Sequence, residues 1–444
     1  MTTTHTPEPE PPAIKKQKLE NTSEQCAFYL AKKKRTCRMQ RKAGNMYCSE
    51  HMIQSKDSTP EVSSKGERVP CPKDPRHTVW SNDVERHLKR CKKVVQKEDL
   101  WFHQDFNVTL QDSKLEKTKV NEENSTEINK KDLLHSCIEE LRKHNTYPPL
   151  ELNVHEHPGL NNRLEQVQQK KHPIQQSSLI GNLKSNNLLG LGHRYIEFGC
   201  GKAELSRFVN LSILEDLKNN SDTNSIETPY GFGFIDRGVN RMKMDPKILL
   251  DVSEFSQMKV TSPTIVRTRI DIKDLHLDTF LEQFPTNDTG IVCISKHLCG
   301  AATDLTLKSL LNSQIFATKK FSGLLVAMCC RHVCSYEQLL PHSREFLAQR
   351  GFKDENTFAV LKKIASWAVC GRPEGMGDDD GKDHTSGLSY SQREELGQQA
   401  RRLIDESRVY ALKHSLPSTY EIKINWYVPK DITLENVTLS ILPQ

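Results

Sequence analysis

Near the middle of the chain runs Tyr195-Ile-Glu197-Phe-Gly199-Cys-Gly201-Lys-Ala203-Glu-Leu205. Gly199 and Gly201 let the backbone approach a ligand closely, and the small Ala203 allows a helix to pack tightly behind its strand. A Gly-rich turn alone would equally suit a dinucleotide. Here Glu197 stands on the strand itself, ahead of the first glycine, where its charge would repel a phosphate. The next β-type run, GFGFI, leads to Asp236, a carboxylate placed to accept hydrogen bonds from both hydroxyls of a ribose. The run TIVRTRI leads to Asp271. Strand ends also carry Asp with no ligand, and that reading competes at both acids. Further on, GIVCIS is followed by Lys296 and His297, and LLVAMCC by Arg331 and His332. A histidine can take a proton near neutral pH, and a lysine can stabilise an oxyanion. Surface or helix-capping roles compete for these residues.

Two Cys/His clusters stand near the N-terminus. One is Cys71-x5-His77-x9-His87-x3-Cys91. Structural zinc takes four N/S ligands in a closed tetrahedron. His87 and Cys91 share a face if NDVERHLKRC is helical, and Asn82 and Glu85 have the spacing of a capping box. So small a fold has almost no apolar core, so a metal would supply most of its stability. The competing reading is four unrelated residues in a basic linker. The other cluster, Cys26-x10-Cys37-x10-Cys48-x2-His51, has one short chelate spacing and two looser gaps. Inside it lie Lys32, Lys33, Lys34, Arg35, Arg38, Arg41 and Lys42 with no acid, flanked by Tyr29 and Tyr47. After His87 come Lys89, Arg90, Lys92, Lys93 and Lys97. Metal-held loops bearing cations near aromatics suit phosphates and stacked bases. A solvated face, or a nuclear-import signal in KKKR, is the plainer alternative.

These residues must be positioned by elements. The second half of the chain alternates β-type runs with helical patterns: YIEFG, GFGFID, TIVRTRID, GIVCISKH and SGLLVAMCC, then TYEIKINWYV and NVTLSILP as a closing hairpin. Alternation of this kind predicts an α/β fold, a mainly parallel sheet covered on both faces. Ligands then sit at the carboxyl ends of the strands, near the switch point. Expected boundaries are a disordered tail at 1–24, modules at 25–52 and 68–95, a polar linker with helical segments at 96–185, and the α/β domain at 186–444. Within the linker, Leu133, Leu134, Cys137, Ile138 and Leu141 have helical spacing. Residues 371–388 read as an acidic, Gly-rich surface loop. Lys+Arg number 63 and Asp+Glu 57, so any polyanion site must come from local clustering. The longest apolar run, Gly323 to Cys330, is far too short to span a bilayer, and no membrane association is expected. The first residues lack a secretory or transit pattern, so an intracellular protein of the nucleus or cytoplasm is expected. In a reducing compartment the 13 cysteines are metal ligands or buried thiols rather than disulfides. A third metal site among Cys293, Cys299, Cys329, Cys330 and Cys334 is outweighed by a role as small buried hydrophobes.

The acid-glycine turn resembles the S-adenosylmethionine turn of class I, Rossmann-like methyltransferases, whose acid approaches the methionine part of the cofactor and whose third strand ends close to the adenine. The two clusters, with EFGCGKAELS, ISKHLCGAATDL, AMCCRH and RRLIDESRVYAL, together resemble the eukaryotic tRNA 2′-O-methyltransferases that modify nucleotide 4 of the acceptor stem. The resemblance spans nearly the whole chain apart from the first 24 residues and the polar middle. It implies one zinc at Cys71, His77, His87 and Cys91 and a second at Cys26, Cys37, Cys48 and His51. It implies S-adenosylmethionine at Glu197, Gly199, Gly201 and Asp236, with Asp271 near the adenine. The implied partner is the tRNA acceptor stem, and no obligate protein partner is evident. Direct methyl transfer is expected, with His297 as base and Lys296 and Arg331 polarising the hydroxyl or gripping the adjacent phosphate. The alternatives are a non-catalytic RNA-binding protein with a decayed methyltransferase fold, which the intact turn opposes, and base N-methylation, which the lack of an Asn/Asp-Pro-Pro-aromatic tetrad opposes.

Overall fold

The computed structural model describes residues 25–30, 35–37, 39–41, 46–48, 51, 68–72, 74–88, 99–111, 130–144, 146–219, 228–240, 242–255, 260–285, 289–369 and 384–444. The expected tail at 1–24, Lys32 to Lys34, Cys91, the basic residues after His87 and most of the acidic loop lie outside these residues. The side chains of Arg35 and His77 also lie outside them. Two compact units divide the chain between Val95 and Gln96.

The first unit holds two small antiparallel ribbons. One pairs β1 (Tyr29–Leu30) with β2 (Arg35–Thr36). The other pairs β3 (Arg68–Cys71) with β4 (Asp74–Trp80), and the short helix α1 (Val84–Leu88) follows. The capping box expected of Asn82 and Glu85 does not form. A 3-10 turn, Ser81–Asp83, leads into the helix, and its N-cap Trp80 makes no side-chain cap.

The second unit begins earlier than 186. Residues 99–111 lie over a turn of the α/β domain: Trp101 Nε1 donates to Thr268 Oγ1 at 2.8 Å, and Asn107 Nδ2 to the carbonyls of Ile272 and Leu275. Helix α2 (Lys130–Lys143) buries Leu134, Cys137, Ile138 and Leu141, the residues whose spacing predicted it. Next come α3 (Asn161–Gln166) and α4 (Lys171–Ser185), the latter buried from Gln175 to Leu183. The described parts of the stretch expected to be a linker, 99–111, 130–144 and 146–185, therefore pack into the folded unit. Its polar composition concealed this because buried Gln175, Gln176, Ser177, Ser178 and Asn182 do the packing.

The sheet strands are β5 (His193–Phe198), β6 (Gly231–Ile235), β7 (Thr264–Thr268), β8 (Gly290–Cys299), β9 (Phe321–Cys329), β10 (Tyr420–Trp426) and β11 (Val437–Pro443). Their order across the sheet is β10-β11-β9-β8-β5-β6-β7. From β7 to β9 every neighbouring pair is parallel, and β11 inserts antiparallel between β9 and β10. Connecting helices are α5 (Glu204–Asn219), α6 (Asp245–Glu254), α7 (Leu277–Leu281), α8 (Ala301–Leu311), α9 (Pro341–Ala348), α10 (Glu355–Trp367) and the long α11 (Tyr390–Ser415).

The strands read as near-continuous apolar runs because both faces are covered. Ile291, Cys293, Leu324, Val326 and Met328 enter one core with Phe280 and Leu307; the alternate residues Val292, Ile294, Leu325 and Ala327 enter another with Leu179, Val209 and Ile248. A third core joins α2, α9, α10 and α11. No helix among the described residues is long and apolar enough to cross a membrane.

Candidate active site and metal clusters

Strand β5 lies between β6 and β8, so the chain switches sides of the sheet there and leaves a crevice at the carboxyl ends. The turn after β5 holds Gly199, Gly201 and Ala203 at φ of 63°, 53° and 63°. A Cβ at Gly201 would meet nothing within 4 Å, so the turn faces open space. Asp236 holds this turn: its carboxylate accepts from the Gly201 N–H at 2.7 Å and from the Gly238 N–H at 2.5 Å. An ionised carboxylate has about four acceptor positions, so two stay available for hydroxyls. Glu197 is buried and accepts from the Ser206 hydroxyl at 2.5 Å and the Ser206 N–H at 3.3 Å, which ties it to the first turn of α5. Burial pushes its carboxyl up to about 7.

Sequence reasoning missed Arg267. Its guanidinium lies 4.6 Å from the Phe234 ring, pairs with both oxygens of Asp245 at 2.6 Å, and donates to the Gly201 carbonyl at 3.2 Å. It therefore fixes the glycine turn from below. A lone Arg in a β-type run gives no signal of this reach. Asp271 was expected at the end of a strand. Strand β7 ends at Thr268, and Asp271 caps the following 3-10 turn through the Lys273 N–H.

Lys296 and His297 sit where β8 and β9 lose register: Ser295 pairs with Val326 and Leu298 with Met328, which leaves one extra residue on β8. Such a bulge re-aims side chains and is common beside active sites. The bulge adjoins the glycine turn, since a Cβ at Gly199 would stand 3.9 Å from the His297 carbonyl oxygen. Lys296 Nζ lies 2.9 Å from Nδ1 of His172 on α4, and the His172 and His297 rings are 6.2 Å apart, edge to face. Desolvation pushes Lys296 down to about 8 against the pull of Glu204 and Glu197. Desolvation, then Lys296 and His172, push His297 down to about 4. His172 is lowered first by Lys296. His172 also escaped the sequence reading, because it lies in the stretch expected to be a linker.

Arg331 does not reach the crevice. It is buried, donates to both oxygens of Asp405 at 3.1 and 2.8 Å, to Glu435 Oε2 at 2.7 Å and to the Met328 carbonyl at 2.8 Å. Arg408 pairs with both oxygens of Asp304 at 2.9 Å, and Arg401 with Glu435 at 2.6 Å. This buried cluster of three guanidinium groups and three carboxylates corrects the role expected of Arg331.

In the first unit, Cys26, Cys37, Cys48 and His51 bring their ligand atoms within 4.8 Å of one another, with the three cysteines buried. The Phe28 ring stacks on His51 at 4.2 Å. Of the other set, Cys71 Sγ and His87 Nε2 are 3.1 Å apart.

The strand order, the antiparallel insertion and the acid-glycine turn define a class I, Rossmann-like methyltransferase fold. The chain belongs to the TRM13 methyltransferase family: the model described as Methyltransferase TRM13 matches residues 174–442. A CCCH zinc finger in TRM13 protein matches residues 24–52, and a U11-48K-like CHHC zinc finger residues 68–92. Relatives named tRNA:m(4)X modification enzyme TRM13 include that of Scheffersomyces stipitis, 52% identical over 93% of this chain and 99% of the relative. That of Debaryomyces hansenii is 49% identical over 97% and 94%. That of Saccharomyces cerevisiae is 34% identical over 97% and 98%.

Proposed function

We propose that this chain is a tRNA methyltransferase that transfers a methyl group from S-adenosylmethionine to the ribose 2′-hydroxyl of nucleotide 4 in the acceptor stem. The observation that carries the reading is the meeting of the acid-glycine turn with the Lys296–His297 bulge at the switch point. The relatives' shared name supplies tRNA. The residues fit the cofactor: Gly201 opens onto free space beside Asp236, whose spare acceptor positions suit ribose hydroxyls. Glu197, Gly199, Gly201 and Asp236 would hold it. S-adenosylmethionine supplies, when bound, a methyl on a positively charged sulfur, an electrophile with a good leaving group.

The protein's own task is to align a ribose hydroxyl and take its proton. A general base works best when it titrates near the working pH. Lys296, at about 8, meets that condition better than His297, at about 4. Our reading therefore gives the proton to the Lys296 amine, oriented by His172 at 2.9 Å, ahead of the His297 expected from sequence. Each Cys/His cluster would hold a structural Zn2+, and the exposed Tyr29, Met39 and Met46 around the first offer faces for RNA.

Incubating the full chain with labelled S-adenosylmethionine and total tRNA, then mapping the label, tests the reading. Label on the 2′-oxygen of nucleotide 4 is expected; label on a base, or none, overturns it.

A further inference from the structure

We propose that Cys299, Cys329 and Cys330 form a further metal site, a three-thiolate seat for Zn2+ at the carboxyl ends of β8 and β9. Their sulfur atoms all lie within 4.8 Å of one another, and those of Cys299 and Cys329 are 2.7 Å apart, both thiols free. Cys299 and Cys329 are register partners on neighbouring strands. Cys329 and Cys330 are adjacent in sequence, and an extended strand would send them to opposite faces. Cys330 instead takes a left-handed backbone, φ 51° and ψ 48°, which breaks the alternation and brings its thiol to the other two. A non-glycine residue in that conformation is strained and persists only where its surroundings enforce it. Here the enforcement is visible: Glu435 Oε1 accepts from the Cys330 N–H at 2.9 Å. Across from it, Gly300 has a positive φ of 54°, and a Cβ there would stand 2.5 Å from Val333 Cγ2 and 2.8 Å from the Val333 carbonyl oxygen. Only glycine lets the turn after β8 lie that close to the turn after β9.

Packing accounts for Cys293 and Cys334, which are fully enclosed. It does not account for this trio, because Cys299 is exposed and Cys330 only half-buried. Three thiolates select a soft cation and reject calcium or magnesium. Three protein ligands leave the fourth tetrahedral position to water on the exposed Cys299 side. Binding releases three thiol protons to solvent and leaves the site with one net negative charge. The ion would clamp the end of β8 to the end of β9 just past the Lys296–His297 bulge, so its role is to position that bulge.

The test compares the full chain with its Cys299→Ser/Cys330→Ser variant by elemental analysis. The variant should hold one zinc fewer, whatever the total. A low total in both points to a lost finger; equal zinc in parent and variant overturns the proposal. A second measurement needs no variant. Alkylation of Cys299 in the parent, read by mass spectrometry, should speed up about tenfold or more when a chelator removes the metal. Unchanged rates overturn the proposal, as does a thiol freed by reductant and not by chelator, which marks a disulfide.

Discussion

Which of Lys296 and His297 takes the proton under the proposed function depends on their surroundings as well as on residue type. A histidine beside a lysine reads as the base, because free imidazole titrates near neutrality. In the bulge, desolvation moves the imidazole down to about 4 and the amine down to about 8. The active form of a lysine base is the neutral amine, so transfer should rise with pH and level off above about 8. At pH 6, two units below, about a hundredth of Lys296 is neutral. Single-turnover rates at saturating tRNA should therefore climb close to tenfold per pH unit between 6 and 7.5. Lys296→Met should lose about 10²- to 10⁴-fold in rate and lose this slope, with cofactor affinity retained. An inflection near 6 that survives in Lys296→Met would assign the proton to a histidine instead. The sequence made these positions legible because both directly follow the apolar run GIVCIS. Their titration was not, since it depends on His172 from α4 and on the bulge, neither of which has a local sequence signal.

The strands were legible as elements: apolar runs of the right length alternate with helical patterns, and each β-type segment falls on one of the strands β5 to β11. Less legible was why certain motifs stand where they do. The segments ISKHLCGAATDL, AMCCRH and RRLIDESRVYAL carry the family resemblance, yet Asp304, Arg331, Arg401, Asp405 and Arg408 from them form one ion-pair cluster with Glu435 inside the fold. On α11, Arg401, Asp405 and Arg408 recur at helical spacing and so line one face. This cluster joins α8, α11 and the turn after β9, and through Glu435 it also holds Cys330. Burial raises the Glu435 carboxyl, but Arg401 and Arg331 more than offset it and keep it below its usual range. With a depressed folded pKa, its stabilising contribution is present above the unfolded value and is lost as the pH falls through the folded one. Asp304→Ala removes the bidentate partner of the fully buried Arg408. Breaking such a pair costs about 3–5 kcal/mol, far more than an exposed pair at about 0–1. Urea unfolding followed by circular dichroism should show that loss; a change under about 1 kcal/mol would mean that Asp405 alone satisfies Arg408.

At the scale of the whole molecule, the chain divides into a Cys/His unit whose described residues hold very little apolar core and a methyltransferase unit whose described residues hold three large ones. Under the proposed function the first unit grips RNA and the second carries out transfer. In the first unit the ribbons are two residues long in one case, too short to stand without metal. Its sequence carries the run Lys32-Lys33-Lys34-Arg35 without an intervening acid. A-form RNA hides its base edges in a deep groove, so grip on an acceptor stem comes largely from phosphates, shape and 2′-hydroxyls. Replacing these four residues by Ala should then weaken tRNA binding, and it should do so most at low salt. Every cation withdrawn from a phosphate lowers the slope of log affinity against log salt by roughly 0.7–0.9, so the full set would flatten it by about 3 to 4 at most. Cofactor affinity should not change, because Glu197, Gly201 and Asp236 belong to the other unit. Filter binding across a salt series, with calorimetry of the cofactor on the same preparation, reads both halves of the expectation. A variant that keeps its affinity and slope would make the basic run a solvated face or an import signal. A variant that loses cofactor affinity as well would mean that the two units do not act independently.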